Sequence, residues 1–116
     1  MTKTLLYHNP KCSKSTKALE IIKNCSIKVS VILYLEEKLT TDMLNEIIDL
    51  SGLTAREIIR NNEKEYKDNN LNNMTLTHDE ILQYILKFPI LLQRPIFIFN
   101  NKAIIARPPE NILKII

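Results

Sequence analysis

Residues 7–15 read YHNPKCSKS and mark the point where an apolar, strand-like segment gives way to a helix. The strand-like segment covers residues 4–7, and the helical pattern opens near Ser13. This order puts Cys12 at a helix N-terminus, where the positive end of the helix dipole stabilises a thiolate. The stretch therefore predicts a strand, a short loop and a helix with a reactive cysteine at its start.

The neighbours of Cys12 support this interpretation. A free cysteine with a pKa near 8.5 is only about 3% thiolate at pH 7, and lowering that pKa by roughly two units requires ~2.7 kcal/mol. A helix dipole supplies about 0.3–1 kcal/mol, so nearby cations must contribute the remainder. The candidates are Lys11, Lys14 and His8. The alternative is a buried, inert thiol, which the polar, lysine-bearing flanks disfavour.

Length and composition predict one globular domain, residues 1–116, with a hydrophobic core of its own. Hydrophobic residues make up 45% of the chain. The 16 basic and 13 acidic residues give a formal charge of +3, and they are scattered without a long block of one sign. This balance favours attraction of a small anion and gives no indication of nucleic-acid binding.

The spacing of cysteines and histidines argues against a dithiol motif and a structural metal site. Cys12 and Cys25 form neither a C-x-x-C pair nor a metal-ligand pattern, and His8 and His78 have no Cys or His partner at ligand spacing. We therefore expect no bound metal. The N-terminus lacks the long apolar run of a signal peptide, so we expect a cytoplasmic protein without a membrane segment.

Hydrophobic periodicity and turn signals predict an α/β fold with one mixed sheet covered by helices. The predicted elements are a strand at 4–7, a helix at 13–25, a strand at 29–35, a helix at 41–50 ended by Gly52, two short helices with capping boxes at Thr54 and Thr77, a hairpin of 96–99 with 103–105, and a helix at 110–116. Residues 61–73 are polar and predict a turn of helix mixed with loop. Cys25 lies on the apolar face of the first helix, so we expect it to be a small core residue.

The chain lacks the usual loops that hold a phosphate-like oxyanion. Its only glycine, Gly52, excludes a glycine-rich phosphate loop, and Ala18 stands where a C-x5-R phosphatase carries its arginine. Arginines bind tetrahedral oxyanions bidentately. The arginines of this chain are Arg56, Arg60, Arg94 and Arg107. Arg94 and Arg107 each precede a proline at a boundary of the predicted hairpin, so their side chains could converge at one end of the sheet. The alternative is that they are ordinary surface cations.

Five parts of the sequence together resemble the glutaredoxin-linked arsenate reductases. They are HNPKCSKS at 8–15, ILYL at 32–35, Arg60, PILLQRPI at 89–96 and ARP at 106–108. The resemblance runs along essentially the whole chain. It implies a thioredoxin-like α/β fold: a mixed four-stranded sheet with helices on its faces and a helical insertion between strands 2 and 3. It also implies a cis proline at Pro95.

The same resemblance implies a role for each matching residue. Cys12 resembles the catalytic nucleophile, and His8 resembles the residue that helps to keep its thiol ionised. Arg60, Arg94 and Arg107 resemble the three arginines of a substrate-binding oxyanion pocket. The implied reaction is the reduction of arsenate to arsenite, with glutathione as co-substrate, glutaredoxin as protein partner and no bound cofactor. Nothing in the sequence marks an obligate interface, so we expect a monomer.

Two other functions stay open at the level of sequence. One is a glutathione-dependent thiol oxidoreductase of the same fold without arsenate activity, against which the three matching arginines argue. The other is a thioredoxin-like regulator that binds RNA polymerase. Proteins of that related group share residues 94–96 but usually carry a C-x-x-C switch, and Ser15 stands at the second cysteine position here.

Overall fold

Four strands form one mixed sheet in the computed structural model, which describes residues 3–116. The strands are β1 (Leu5–Tyr7), β2 (Ser30–Ile32), β3 (Ile96–Phe99) and β4 (Lys102–Ile105), in the order β2-β1-β3-β4. β1 is parallel to β2 and antiparallel to β3, and β3 is antiparallel to β4. The predicted α/β class and the mixed four-stranded arrangement are confirmed.

The strand register decides which loops share an end of the sheet. Tyr7 pairs with Ile96, and Ile96 pairs with Ile105. The residues that follow Tyr7, precede Ile96 and follow Ile105 therefore lie at one end. The turn between β3 and β4 lies at the opposite end, because the two strands are antiparallel.

Residues 3–38 and 94–116 form one compact unit, built from the sheet, α1 (Ser13–Asn24) and a C-terminal 3₁₀ helix (Pro109–Lys114). A cluster of six fully buried side chains packs the sheet against α1 and the C-terminal helix: Leu6, Ala18, Ile22, Phe97, Ala106 and Ile112. Full burial of a Leu, Ile or Phe side chain contributes about 1.5–3 kcal/mol. This core anchors α1 on the sheet and thereby holds the start of the helix beside the end of β1.

Residues 39–93 form a second compact unit, which the chain inserts between β2 and β3. Its helices are α2 (Thr41–Ser51), α3 (Ala55–Ile58), α4 (Lys64–Asp68), α5 (His78–Lys87) and a 3₁₀ helix at Pro89–Leu91. The predicted helical insertion is confirmed. The capping boxes that begin at Thr54 and Thr77 are both formed, and Gly52 ends α2 with a φ of 73°. The expectation of a single domain over residues 1–116 stays a prediction.

The β3–β4 hairpin turns through two asparagines, as predicted. Asn100 and Asn101 have φ values of 53° and 61°, the left-handed conformation that asparagine tolerates better than most residues. The peptide bond between Arg94 and Pro95 is cis, as the resemblance implied, and the bond between Arg107 and Pro108 is also cis.

Cys25 is exposed, so its prediction as a core residue was wrong. The helix ends at Asn24, and Cys25 is the cap residue, whose backbone N–H donates to the carbonyls of Ile21 and Ile22 at 3.1 and 3.2 Å. Ser26 then has a φ of 58° and turns the chain away. Helical periodicity no longer describes the direction of a side chain at the point where the helix ends.

Two other element boundaries also differ from the prediction. The C-terminal element is the 3₁₀ helix Pro109–Lys114 and not the predicted helix at 110–116; short helical segments commonly adopt the 3₁₀ form. β2 ends at Ile32, after which the Leu33 carbonyl accepts from two following N–H groups and makes a turn. No helix within residues 3–116 is long and apolar enough to cross a membrane.

Arg56 has a structural role in the helical insertion. Its Nη1 donates to the Leu71 carbonyl and, at 3.4 Å, to the Tyr66 hydroxyl, and its Nη2 donates to the Asn73 carbonyl at 2.9 Å. The guanidinium therefore ties the loop after α4 back to α3. Three acceptors in different directions require the planar fork of arginine.

Replacing Arg56 with Lys should destabilise the protein. One ammonium group cannot reach all three acceptors, and a hydrogen bond to a charged group is worth about 1.5–3 kcal/mol. We expect Arg56→Lys to lower the free energy of unfolding by about 1–3 kcal/mol and the midpoint of thermal unfolding, followed by circular dichroism, by several degrees. The control is Lys64→Gln, which breaks only the exposed Lys64–Asp68 pair. Equal midpoints for the two variants would contradict the structural role of Arg56.

Candidate active site

Cys12 is the N-cap residue of α1 and is held by the loop that leaves β1. Its backbone is extended, with φ −99° and ψ 122°. The Cys12 N–H donates to the carbonyl of Asn9 at 3.0 Å, and the Lys11 N–H donates to the Asn9 side-chain Oδ1 at 3.0 Å. The Cys12 carbonyl accepts the helical bond from the Thr16 N–H at 3.0 Å. A tight turn that begins at Asn9 and is centred on Pro10 and Lys11 thus places the half-buried thiol at the start of the helix, as predicted.

The pKa of Cys12 is lowered by its surroundings. Burial alone raises the pKa, but the backbone N–H of Ser15, the Arg94 guanidinium and the backbone N–H of Lys14 together outweigh it. Cys12 makes no side-chain capping hydrogen bond of ordinary geometry, but the Ser15 and Lys14 N–H groups and the Arg94 side chain favour the charged sulfur as hydrogen-bond donors. The result is a thiol that ionises more readily than a free cysteine.

The cation that acts on the sulfur is Arg94. The ammonium groups of Lys11 and Lys14, which were predicted from the sequence, lie on exposed side chains, and neither charge is among the causes that set the pKa of Cys12. Their ammonium groups are surrounded by water, which screens the interaction. A long-range contact from the start of β3 therefore supplies the charge that the adjacent lysines were expected to supply.

Arg94 and Arg107 converge at the same end of the sheet, as predicted. The Nη1 of Arg107 donates to the backbone carbonyl of Arg94 at 3.3 Å. The Ala106 N–H donates to the Pro95 carbonyl at 2.9 Å, which continues the β3–β4 pairing past Ile96. Arg107 is exposed and Arg94 is half-buried, so the pair presents one guanidinium next to the thiol and one at the surface.

Arg60 belongs to the helical insertion and is held firmly within it. Arg60 is 8% exposed, and its backbone N–H donates to the Leu91 carbonyl. The preceding residue, Ile59, forms a β-bridge with Leu92. Its Nε donates to Glu63 Oε1 at 3.0 Å in a part-buried ion pair. This contact uses only one edge of the guanidinium fork.

His8 is buried, and its surroundings favour the neutral ring over the cation considered from the sequence. Burial lowers its pKa, and the charge of Lys23 lowers it further. Its Nδ1 lies 2.6 Å from the Oγ of Ser15, and its backbone N–H donates to the Ile32 carbonyl at 2.9 Å. His8 therefore contacts the first turn of α1 through a hydroxyl. The position of Ser15 in the sequence, where C-x-x-C has its second cysteine, does not indicate this contact.

A cavity of about 390 Å³ lies beside the Cys12 loop. One wall is formed by residues 8–11, and the other by Leu33, Leu35 and Glu36 from the turn after β2. The lining is mixed, with apolar side chains and one exposed charge of each sign at Lys11 and Glu36. Within residues 3–116, no group of three or more His, Cys, Asp or Glu side chains could hold a metal ion.

Because the pKa of Cys12 is lowered, its thiol should be alkylated at a lower pH than a free cysteine. In a Cys25→Ser background, the rate of iodoacetamide alkylation should have its midpoint below the ordinary value of a free thiol and should fall about tenfold per pH unit below that midpoint, where the thiolate becomes protonated. Arg94→Met should raise the midpoint by about one unit. Lys14→Met removes the same charge from an exposed side chain and should leave the midpoint nearly unchanged. An equal rise in both variants would show that Arg94 has no special effect on the sulfur.

Comparison with known proteins identifies the family of the chain. The model of the ArsC family matches residues 7–115. The chain is 36% identical to an arsenate reductase of Haemophilus influenzae, with 97% of each chain covered. It is 39% identical to the uncharacterized protein YfgD of Escherichia coli, with 100% of this chain and 99% of that protein covered. The solved structure of an arsenate reductase from Vibrio cholerae is 36% identical and superposes with a TM-score of 0.94 over 99% of this chain and 98% of that one. The chain therefore belongs to the ArsC family, the family of these arsenate reductases, and has its thioredoxin-like fold.

Proposed function

We propose that this protein reduces arsenate to arsenite, with Cys12 as the nucleophile and with glutathione and glutaredoxin as the electron donors. The observation that carries the proposal is the Cys12 thiol of lowered pKa beside Arg94, in a chain that belongs to the ArsC family. A thiolate is the form of cysteine that attacks an electrophile, and a guanidinium stabilises the negative charge on the oxygens around it.

The first covalent step is attack of the Cys12 thiolate on arsenic(V). A sulfur–arsenic bond forms and one oxygen leaves as hydroxide or water. Arg60, Arg94 and Arg107 neutralise the charge of the remaining oxygens. The planar fork of an arginine can donate to two oxygens of a tetrahedral anion at once.

The electrons then come from two external thiols. Glutathione displaces a second oxygen from arsenic and forms a second sulfur–arsenic bond. A glutaredoxin thiolate attacks the glutathione sulfur and forms a mixed disulfide, and the electron pair of the broken bond stays on arsenic, which becomes arsenic(III) on Cys12. Water then releases arsenite and regenerates the thiol. Ser15 at the second position of C-x-x-C fits this scheme, because the scheme needs one protein thiol.

The distribution of charge supports an anionic substrate. The unit that carries Cys12 has eleven basic and four acidic residues, whereas the insertion has five basic and nine acidic residues. Their formal charges are therefore +7 and −4. A positive field around a thiol attracts oxyanions and raises their local concentration.

A coupled assay distinguishes this function from the alternatives. Wild-type protein, glutathione, glutaredoxin, glutathione reductase and NADPH should give NADPH oxidation that depends on arsenate. Cys12→Ser should abolish it, because a serine hydroxyl is scarcely ionised at neutral pH. Cys25→Ser makes the same change at the exposed cysteine and should keep most activity.

Turnover with thioredoxin and thioredoxin reductase alone would assign a different reductant. NADPH oxidation with a disulfide substrate but not with arsenate would favour the oxidoreductase, and no turnover with either would favour a regulator.

The arginine fork predicts how conservative replacements behave. Arg94→Lys, Arg107→Lys and Arg60→Lys should each reduce kcat/KM for arsenate by about tenfold or more, which is about 1.4 kcal/mol of transition-state stabilisation. Arg56→Lys is the matched control: measured below its thermal transition, it should keep its activity per folded molecule, because Arg56 binds backbone carbonyls of the insertion. An Arg107→Lys enzyme with full activity, or an Arg56→Lys enzyme as impaired as Arg94→Lys, would contradict this pocket.

A further inference from the structure

Glu63 occupies a capping position but does not cap its helix. It is the N-cap residue of α4, and its side chain makes no capping hydrogen bond. In contrast, α2, α3 and α5 follow Thr40, Thr54 and Thr77, and each of these side chains accepts from a backbone N–H of the first turn. A side chain that caps its helix contributes about 1 kcal/mol. The Glu63 carboxylate gives up this contribution and is used elsewhere.

The carboxylate of Glu63 reaches back to Arg60. Its Oε1 accepts from Arg60 Nε at 3.0 Å, and the side chains of Arg60 and Glu63 are 10% and 22% exposed. A hydrogen bond between two charged groups is stronger than a neutral one. Because little water reaches the pair, the attraction is also screened less than at the surface. Glu63 therefore holds the guanidinium firmly at Nε.

The backbone of Arg60 is fixed as well. Its N–H donates to the Leu91 carbonyl, as part of a short antiparallel pairing of residues 58–60 with 91–93. An arginine side chain carries about 2 kcal/mol of rotamer entropy, so a fixed backbone does not by itself orient the guanidinium. The Glu63 carboxylate supplies the second point of attachment, at the far end of the side chain.

Compensation of a buried charge explains that Arg60 has a carboxylate partner, but it does not explain the form of the contact. The strongest contact between a guanidinium and a carboxylate is bidentate, with two parallel hydrogen bonds. The Glu63 bond is made at Nε. It leaves the outer edge of the fork, between the two Nη groups, and this edge can donate to two oxygens of a tetrahedral anion.

We propose that Glu63 is a positioning residue for Arg60: its carboxylate holds Nε so that the outer edge of the guanidinium is presented to the oxygens of the substrate anion. The proposal rests on the proposed function, in which Arg60 binds arsenate, and deepens it by assigning an acidic residue to an anion site. A negative charge near that site repels the anion. Glu63 therefore acts through orientation and against the effect of its own charge.

Two conservative replacements of Glu63 separate reach from charge. Glu63→Gln keeps the length of the side chain and an oxygen that can accept from Arg60 Nε, but it carries no charge. Glu63→Asp keeps the charge, but its carboxylate is drawn back by about 1.5 Å, beyond hydrogen-bond distance. Aspartate is also a preferred N-cap residue, so Glu63→Asp should not destabilise α4. Glu65→Asp is the matched control, because it makes the same shortening in the first turn of α4.

The first measurement is the steady-state kinetics of arsenate reduction at saturating glutathione and glutaredoxin. We expect Glu63→Asp to lower kcat about three- to tenfold, because the fork loses its orientation in the transition state. Glu63→Gln should keep kcat within about twofold, and its KM for arsenate should be no higher than that of the parent, because a repulsive charge is removed. Glu65→Asp should match the parent. In an Arg60→Lys background, Glu63→Asp should lower kcat no further, since it acts through the guanidinium.

The second measurement needs no arsenate. The Arg60 Nε–H gives a resonance in ¹H–¹⁵N spectra, which is assigned by its absence in Arg60→Lys. Its exchange with water is slow while the hydrogen bond to Glu63 persists. We expect this exchange to be clearly faster in Glu63→Asp than in the parent or in Glu63→Gln. Thermal unfolding verifies that the variants are folded, and the midpoint of Glu63→Asp should be no lower than that of the parent.

Five results would overturn the proposal. They are an unchanged kcat in Glu63→Asp, a Glu63→Gln enzyme as impaired as Glu63→Asp, a further loss of kcat when Glu63→Asp is added to Arg60→Lys, equal exchange rates of the Arg60 Nε–H in Glu63→Asp and the parent, and a Glu63→Asp protein that unfolds at a much lower temperature, which would assign Glu63 a structural role. A wild-type protein without arsenate turnover would contradict the proposed function, and the exchange rates would still show whether Glu63 holds Arg60.

Discussion

A partly buried thiolate persists only where dipoles and charges replace the hydration that it has lost, and the region around Cys12 is organised by this requirement. Burial raises the pKa of the thiol, and two backbone N–H groups and one guanidinium reverse the effect. The N–H groups are available because a helix begins at this cysteine and leaves its first amides without helical acceptors. Arg94 lies beside the sulfur because β3 begins next to the end of β1. The start of a helix and the start of a strand must therefore be held next to each other.

The sheet and its core provide that support. Tyr7 and Ile96 are paired, so the loop after β1 and the residues before β3 emerge at the same end of the sheet. A shift of one residue in this register would turn each side chain of the strand to the other face. The buried contacts of Leu6 and Phe97 with α1 resist such a shift. The packing of the core thus controls the electrostatics at the thiol, although none of its side chains is charged.

The four arginines show how the same side chain acquires different roles from its acceptors. Arg56 donates to backbone carbonyls and stabilises the insertion. Arg60 is paired with Glu63, which leaves part of its fork available for other acceptors. Arg94 acts on the cysteine sulfur, and Arg107 contacts the carbonyl of Arg94 from an exposed position. For Arg56, Arg94 and Arg107 these partners are distant in sequence, whereas Arg60 pairs with a residue three positions away.

The sequence by itself determined the features that depend on interactions between near neighbours in the chain. These include the strand, loop and helix around Cys12, the capping boxes, the end of α2 at Gly52 and the asparagine hairpin, since each is set by backbone preferences within about four residues. Family resemblance added the insertion and the cis proline. Only the tertiary structure decided that Cys25 is exposed, that Arg56 supports a loop and that burial lowers the pKa of His8. Exposure, charge state and long-range partners depend on which distant segments surround a side chain, and periodicity and spacing do not contain that information.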